Sequence, residues 1–330
     1  MDQAQGRRKR HVSGPSKVLI TLRPRVLADV PVSPVPVSPT SHVRSMSDVT
    51  ALESSSRIIR TPDGRAICVA EYGDPSGAPI LSFHGTPGCR LLSAQQHELG
   101  FEPLIRDLGV RLIRYDRPGY GRSDRRRGRQ VVDTAEDVAT ITDALGIDRL
   151  AVHGGSAGAH HALAAAAVLS DRMSRVAAVA PMAPYAELGY GVWTAGQDAG
   201  VKEYIGWVLD GEETMAVKFP AEDANEKRDA DPDDPRQASV FEQTRDGIGG
   251  WVDDEAAAMR PWGFDPASIT TPTAIWYDPD ERVLPHQHAE WLAARIPGAE
   301  LIVTKALGHG SPDDPVSDWR RLYAWLAGAP

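Results

Sequence analysis

One serine between small residues constrains this chain more than any other feature. Residues 154–158 have the sequence GGSAG, with Ser156 at the centre. An apolar run, residues 150–152, comes before it, and an alanine-rich run, residues 162–168, comes after it. This order predicts a strand, a tight turn and a helix, with the serine hydroxyl held away from the backbone and the first N–H groups of the helix directed at the same point. The turn therefore predicts a nucleophilic serine.

Runs of β-forming residues alternate with helical patterns along most of the chain. Further strand candidates lie at residues 66–70, 79–83, 110–115, 176–180, 273–277 and 300–304. A helix is predicted to begin at Thr134, with Asp137 three residues later as in a capping box, and to end at Gly146. Such alternation is typical of an α/β fold, in which helices cover both faces of a mainly parallel sheet.

The alternation stops between residue 184 and about residue 268. This segment carries helical patterns and several aromatic residues, namely Tyr190, Trp193, Tyr204, Trp207 and Trp251. An insertion at this point would lie above the carboxyl ends of the strands, where open α/β sheets bind ligands. The aromatic side chains either line a substrate pocket or form a small core of the insertion, and the sequence leaves both interpretations open.

Composition and charge exclude several classes of function. The chain has 330 residues and a formal net charge of -9, which disfavours binding to nucleic acid or to an anionic membrane. No apolar run approaches the ~20 residues that span a bilayer. Cys68 and Cys89 form neither a disulfide framework nor a zinc motif. We expect a cytoplasmic protein with a small-molecule substrate and no bound metal, and the sequence gives no indication of its oligomeric state.

An acyl-transferring serine needs a base, and the base needs an acid that orients it. His309 is the candidate base, because it stands between two glycines in a loop shortly after the last strand candidate. His160 and His161 follow Ser156 on the predicted helix, too far around it to reach the hydroxyl. The acid is open, since Asp278, Asp280 and Glu281 all follow the strand candidate that ends at residue 277.

Two backbone N–H groups are needed to bind the oxyanion. One is expected from Ala157, next to the nucleophile, and the other from Thr86 in the loop HGTPG at residues 84–88. The segment DRPGYGRS at residues 116–123 is interpreted as a constrained structural turn. The basic residues that follow it, Arg125, Arg126, Arg127 and Arg129, are interpreted as a solvated loop.

Taken together, these motifs resemble the α/β-hydrolase superfamily. The matching segments are residues 84–88, 116–123, 154–158, 276–285 and 308–309. The resemblance covers the chain from about residue 57 to its end and is strongest to the proline-iminopeptidase and small-esterase branches. It implies about eight strands, a helical lid after the sixth strand and no cofactor. Relatives that open epoxides or remove halides carry an aspartate at the elbow, so Ser156 argues against those activities.

The resemblance also bears on the acid. The triad aspartate of the family commonly stands four residues before a proline. Counting back from Pro285 leads to Glu281, and glutamate serves as the acid in some members. Glu281 is therefore favoured, and Asp280 is the alternative if the loop is shifted by one residue.

These expectations define three parts of the chain and one function. Residues 1–45 form a disordered extension, residues 46–184 and 269–330 form the α/β-hydrolase core, and residues 185–268 form the helical lid. The expected function is that of a serine hydrolase that cleaves an ester or a small amide through an acyl-enzyme on Ser156. The alternative is a non-hydrolytic ligand-binding protein on the same scaffold, because a fold does not fix a function.

Overall fold

The structure is a computed structural model that describes residues 56–185, 187–188, 199–281, 283–309 and 313–328. The predicted N-terminal extension, Tyr190 and Trp193 therefore lie outside the described residues. Eight described strands form one sheet: β1 (Arg57–Arg60), β2 (Ala66–Gly73), β3 (Ala78–Phe83), β4 (Val110–Tyr115), β5 (Leu150–Gly155), β6 (Met173–Val179), β7 (Thr273–Tyr277) and β8 (Glu300–Val303).

The sheet has the strand order β1-β2-β4-β3-β5-β6-β7-β8. The pairs β1–β2 and β2–β4 are antiparallel, and the other five pairs are parallel. The expected mainly parallel sheet is thus confirmed. In the register, Phe83 pairs with Gly154, Gly155 pairs with Val179, and Val179 pairs with Trp276. The residues that follow β3, β5 and β7 consequently meet at one edge of the sheet.

Helices cover both faces of the sheet. In chain order they are α1 (Ala94–Glu98), α2 (Phe101–Asp107), α3 (Thr134–Leu145), α4 (Ala157–Val168), α5 (Ala199–Asp210), α6 (Glu212–Arg228), α7 (Ala238–Glu242), α8 (Gly249–Met259), α9 (Gln287–Arg295) and α10 (Val316–Leu326). One buried apolar cluster holds residues of α3, α4 and α9, and a second holds residues of α2 and α10. Among the residues described, no helix combines the length and apolar character needed to cross a bilayer.

Helix α3 begins and ends where the sequence predicts, but its start is not a capping box. Gly146 terminates it with φ +65°, the left-handed conformation that glycine adopts without strain. The Thr134 hydroxyl lies 2.6 Å from Nδ1 of His161, and Asp137 pairs with Arg65 at 2.9 Å. Both polar side chains are therefore used in contacts with other elements, and the predicted capping box is wrong.

Helices α5 to α8 form the insertion between β6 and β7. Its aromatic side chains build a small core, in which Tyr204 stacks on Phe219 and Phe219 stacks on Trp251, with ring centroids 5.4 and 4.5 Å apart. Tyr204 and Trp251 also line a cavity over the sheet edge. Tyr204 and Trp251 thus belong to the small core of the insertion and also line the cavity.

A contact between two glycines fixes the insertion to the core. A Cβ added to Gly250 at the start of α8 would lie 2.5 Å from the carbonyl of Gly119, in the turn after β4. Real Cβ atoms do not approach a backbone so closely, so only glycine fits there. This approach brings the acidic residues of α8 against the arginines that follow β4.

Candidate active site

Ser156 stands in the turn between β5 and α4 with an unusual backbone conformation. Its φ and ψ are 54° and -126°, which costs a non-glycine residue about 1–3 kcal/mol. A Cβ on Gly154 would lie 2.0 Å from the carbonyl oxygen of Gly158, and a Cβ on Gly158 would lie 2.4 Å from that of Phe83. Glycine is thus required on both sides of the serine, since the helix start packs directly on the strand ends. The geometry is that of a nucleophile elbow.

Glu281 fixes the ring of His309. Oε2 of Glu281 accepts the Nδ1–H of His309 at 3.0 Å and the backbone N–H of the same residue at 2.7 Å. Its Oε1 accepts the backbone N–H of Val283 at 2.8 Å. The Glu281 side chain is 2% exposed. Burial alone would raise the pKa of this carboxyl, but the hydrogen bonds and the charge of His309 outweigh burial and hold the pKa below its ordinary value.

The structure does not bring Asp280 to His309. The Asp280 side chain is 82% exposed, and its carboxylate lies 3.9 Å from Nζ of Lys305. Its backbone N–H donates to Asp278 at 2.8 Å. Of the two predicted acids, only Glu281 contacts the imidazole in this structure.

Four of the predicted site residues share one cavity of about 350 Å³. Ser156, His309, Thr86 and Ala157 all line it. Much of the remaining wall is apolar and comes from Met182, Ile205, Val208, Trp251, Met259 and Leu284. Within the described part of the chain, no group of three or more His, Cys, Asp or Glu side chains is arranged to hold a metal ion.

The loop of residues 84–88 passes close to the serine and is held by Arg117. A Cβ on Gly85 would lie 3.8 Å from Cβ of Ser156. The Arg117 guanidinium donates to the carbonyl oxygens of His84 and Gly85 and to the hydroxyl of Thr86. Three consecutive residues of the predicted oxyanion loop are thus bound by one buried side chain.

The sequence interpretation missed three consecutive carboxylates on α8. Asp253 pairs with Arg125, Asp254 pairs with Arg117 and Arg129, and Glu255 accepts the hydroxyl of Tyr204. All three acids are buried. The interpretation of the basic run as a solvated loop is therefore wrong for Arg125 and Arg129. An acidic triplet inside an otherwise apolar helix was the signal available in the sequence, because buried carboxylates need partners.

Burial and charge shift the pKa values of this cluster in different directions. Burial would raise the pKa of Asp254, but Arg117 and Arg129 hold it well below its ordinary value. Burial lowers the pKa of His161 to about 4, although its Nε2 lies 3.4 Å from Asp254. Burial raises the pKa of Glu255 to about 7 despite the hydrogen bond from Tyr204. At neutral pH, Asp254 is therefore an anion and His161 is uncharged.

A family model described as the alpha/beta hydrolase fold matches residues 78–315. That range covers the elbow, the predicted oxyanion loop, the insertion and His309. The chain belongs to the alpha/beta hydrolase family. The predicted superfamily is thereby confirmed, and membership supports hydrolase activity.

This alpha/beta hydrolase is 38% identical to a non-heme chloroperoxidase from Streptomyces lividans over 96 residues. That stretch makes up 29% of this chain. The match spans 33% of the length of that curated relative. Among solved structures, an esterase from Exiguobacterium antarcticum has a TM-score of 0.61 at 22% identity, covering 82% of this chain and 98% of that one. A bromoperoxidase from Bacillus anthracis has a TM-score of 0.59 at 20% identity, with the same two coverages. Structural similarity to proteins of only 20–22% identity shows a shared fold and no more.

Proposed function

We propose that this protein is a serine hydrolase that cleaves carboxylic esters through an acyl-enzyme formed on Ser156. One observation carries the proposal. Ser156, held in the strained elbow conformation, lines the same cavity as His309, and the buried Glu281 holds the Nδ1 side of the His309 ring. That arrangement leaves Nε2 of the imidazole as the atom that can take a proton from the serine.

The proposed reaction has two halves. In the first, Ser156 Oγ attacks the ester carbonyl while His309 takes its proton, and Glu281 stabilises the imidazolium that forms. The N–H groups of Thr86 and Ala157 bind the oxyanion, and each contributes about 3 kcal/mol to the transition state. His309 then gives the proton to the leaving alcohol. In the second half, water attacks the acyl-enzyme by the same route and releases the acid.

The cavity supports a substrate with a small or medium apolar acyl group. Its volume of about 350 Å³ lies near the lower end of ligand pockets. Its apolar wall comes from both the core and the insertion. Apolar side chains there favour an acyl chain or an aryl ring over a sugar or a phosphate.

Acidic side chains in the same cavity favour a second candidate, an aminopeptidase-like activity. Glu222, Glu226 and Glu255 line the cavity, and none of its described lining residues is a lysine or an arginine. These carboxyl groups attract a protonated amine when they are ionised, and the raised pKa of Glu255 delays its ionisation to about pH 7. This observation favours an ester or amide of an amino acid over a neutral ester.

The test is a series of p-nitrophenyl esters from acetate to octanoate, with proline p-nitroanilide alongside. Wild type is compared with Ser156→Ala and with Ser170→Ala, a serine outside the cavity. We expect turnover in wild type and Ser170→Ala and none in Ser156→Ala. Because one relative is a chloroperoxidase, a parallel arm with hydrogen peroxide measures peracid formation through the same serine. Turnover that survives in Ser156→Ala would contradict the proposal.

A fluorophosphonate probe separates the hydrolase from the ligand-binding alternative. The probe reacts covalently with an activated serine and does not react with an ordinary serine hydroxyl. We expect wild type to be labelled and Ser156→Ala to remain unlabelled. An unlabelled wild type that is silent on every substrate would favour a non-hydrolytic ligand-binding protein.

A further inference from the structure

A carboxylate of the insertion reaches the oxyanion loop of the core. Oδ2 of Asp254 on α8 accepts the hydroxyl of Thr86 at 3.1 Å and Nε–H of Arg117 at 3.0 Å. The side chains of Asp254 and Arg117 are 1% and 0% exposed. The loop that carries the proposed oxyanion donor is thus bound to a residue 168 positions further along the chain.

The contacts of Arg117 help to set the directions in which the C=O and the N–H of the Gly85–Thr86 peptide point. Nη2 of Arg117 donates to the carbonyl oxygen of Gly85 at 3.3 Å and to the hydroxyl of Thr86 at 3.0 Å. In a trans peptide, the C=O and the N–H point in opposite directions. Since the Gly85 carbonyl faces Arg117, the Thr86 N–H faces away from Arg117. The Gly85 carbonyl also lies 2.7 Å from Nδ1 of His84, so the guanidinium and the His84 ring together set the orientation of the proposed donor.

Asp254 in turn determines the position of that guanidinium. Its two oxygens bind Arg117 on one side and Arg129 on the other. Nε2 of His161 lies 3.4 Å from Oδ1, and burial keeps that imidazole uncharged. Asp254 is thus the anion placed between two buried guanidinium groups. Without its charge, Arg117 and Arg129 would repel each other across a water-poor space and Arg117 would turn.

We propose that Asp254 is a positioning residue for catalysis, which holds the Thr86 N–H as an oxyanion donor by fixing Arg117 and the Thr86 hydroxyl. The inference rests on the serine-hydrolase function proposed above. It assigns to the insertion a part in the chemistry, in addition to shaping the cavity.

Asp253 provides a matched control in the same helix. It pairs with Arg125 through two hydrogen bonds of 2.7 and 2.8 Å, and its side chain is 4% exposed. It lies 3.9 Å from Arg129, and its described hydrogen bonds do not include the oxyanion loop. Asp253→Asn therefore removes a buried aspartate charge from α8 without touching Thr86 or Arg117.

The experiment compares kcat and KM for p-nitrophenyl butyrate in wild type, Asp254→Asn and Asp253→Asn. Loss of one oxyanion donor costs about 100- to 1,000-fold in kcat, so a misplaced donor is expected to cost about 10- to 100-fold. KM is expected to change less than kcat, because the donor acts mainly in the transition state. Inhibition by a trifluoromethyl ketone, whose adduct with Ser156 carries an oxyanion, should weaken in parallel. Asp253→Asn is expected to retain the wild-type kcat.

If Asp254→Asn does not fold, a second pair of variants tests the positioning role of Asp254. Thr86→Val removes the hydroxyl that donates a hydrogen bond to Asp254 and keeps the backbone N–H and the side-chain shape. Because Thr86 is only partly buried, we expect this variant to fold. Thr86→Ser keeps a hydroxyl. We expect the valine variant to lose kcat at an unchanged melting temperature, and the serine variant to be faster than the valine variant.

The outcomes separate this inference from the proposed function. A wild type that is active, with wild-type kcat in Thr86→Val and in any folded Asp254→Asn, would overturn the positioning role and leave the hydrolase intact. An equal loss of kcat in Asp253→Asn would also overturn it. A wild type without turnover or fluorophosphonate labelling would remove the hydrolase and this inference together.

Discussion

One carboxylate oxygen of Glu281 accepts two hydrogen bonds from His309, one from the ring Nδ1 at 3.0 Å and one from the backbone N–H at 2.7 Å. The ring and its backbone are thus fixed to the same atom. Because Glu281 is buried and its pKa lies below the ordinary value, it is an anion at neutral pH. The loop after β8 therefore presents an imidazole of defined orientation to the cavity.

Replacing Glu281 by Gln is expected to lower kcat by about 1,000- to 10,000-fold, because an amide in this place favours the wrong imidazole tautomer and cannot stabilise an imidazolium. Asp280→Asn is the matched control at the neighbouring, exposed position and is expected to change kcat by less than about twofold. Steady-state kinetics on a p-nitrophenyl ester measure both. A large loss in Asp280→Asn with a small one in Glu281→Gln would assign the acid to Asp280.

Replacing Gly154 by Ala is expected to destabilise the fold, because the new Cβ would lie 2.0 Å from the backbone of Gly158. Overpacking of this kind costs about 1–3 kcal/mol or more. Gly155→Ala is the control one residue later, since no atom lies within 4 Å of a Cβ there, and it is expected to change stability by less than about 0.5 kcal/mol. Urea unfolding gives both free energies. Equal stabilities of the two variants would show that the elbow tolerates a side chain on the strand side.

Replacing Glu255 by Gln is expected to change how stability depends on pH. The pKa of Glu255 is raised from 4.5 to about 7, so the folded protein binds this proton more tightly than the unfolded chain does. The stability it contributes is complete below about pH 4.5 and is lost as the pH rises through about 7. The free energy of unfolding of Glu255→Gln relative to wild type should therefore rise by about 3 kcal/mol across this range. Parallel pH profiles of the two proteins would contradict the raised pKa.

The residues that the sequence located well are those with a local signature. Ser156 is recognisable because Gly154 and Gly158 are required within the same turn, and His309 because it stands between glycines after a strand. The choice between Glu281 and Asp280 was harder, since neighbouring residues in a loop differ only in which way the backbone turns. In the structure, one of them is buried against His309 and the other faces solvent.

The contacts of Asp254 could not be predicted from the sequence. Its partners Arg117 and Arg129 stand 137 and 125 residues away, and nothing in their spacing indicates that they meet. The run of arginines is typical of a solvated loop when it is considered alone. Only the docking of α8 on the turn after β4 pairs two members of this run, Arg125 and Arg129, with buried carboxylates.

The contact between Gly119 and Gly250 attaches one helix of the insertion, α8, directly to the core. At that contact the two backbones meet without an intervening side chain, and paired charges join α8 to the core beside it, so moving α8 away would expose several ions at once. Helices α5 and α6 also border the cavity, through Val201, Tyr204 and Glu222 among others. These two helices are in turn packed on α8, through the stacked rings of Tyr204, Phe219 and Trp251 and the hydrogen bond from Tyr204 to Glu255. The part of the cavity wall that the insertion supplies is thus anchored to the core through α8, and α5 and α6 are anchored through their packing on α8.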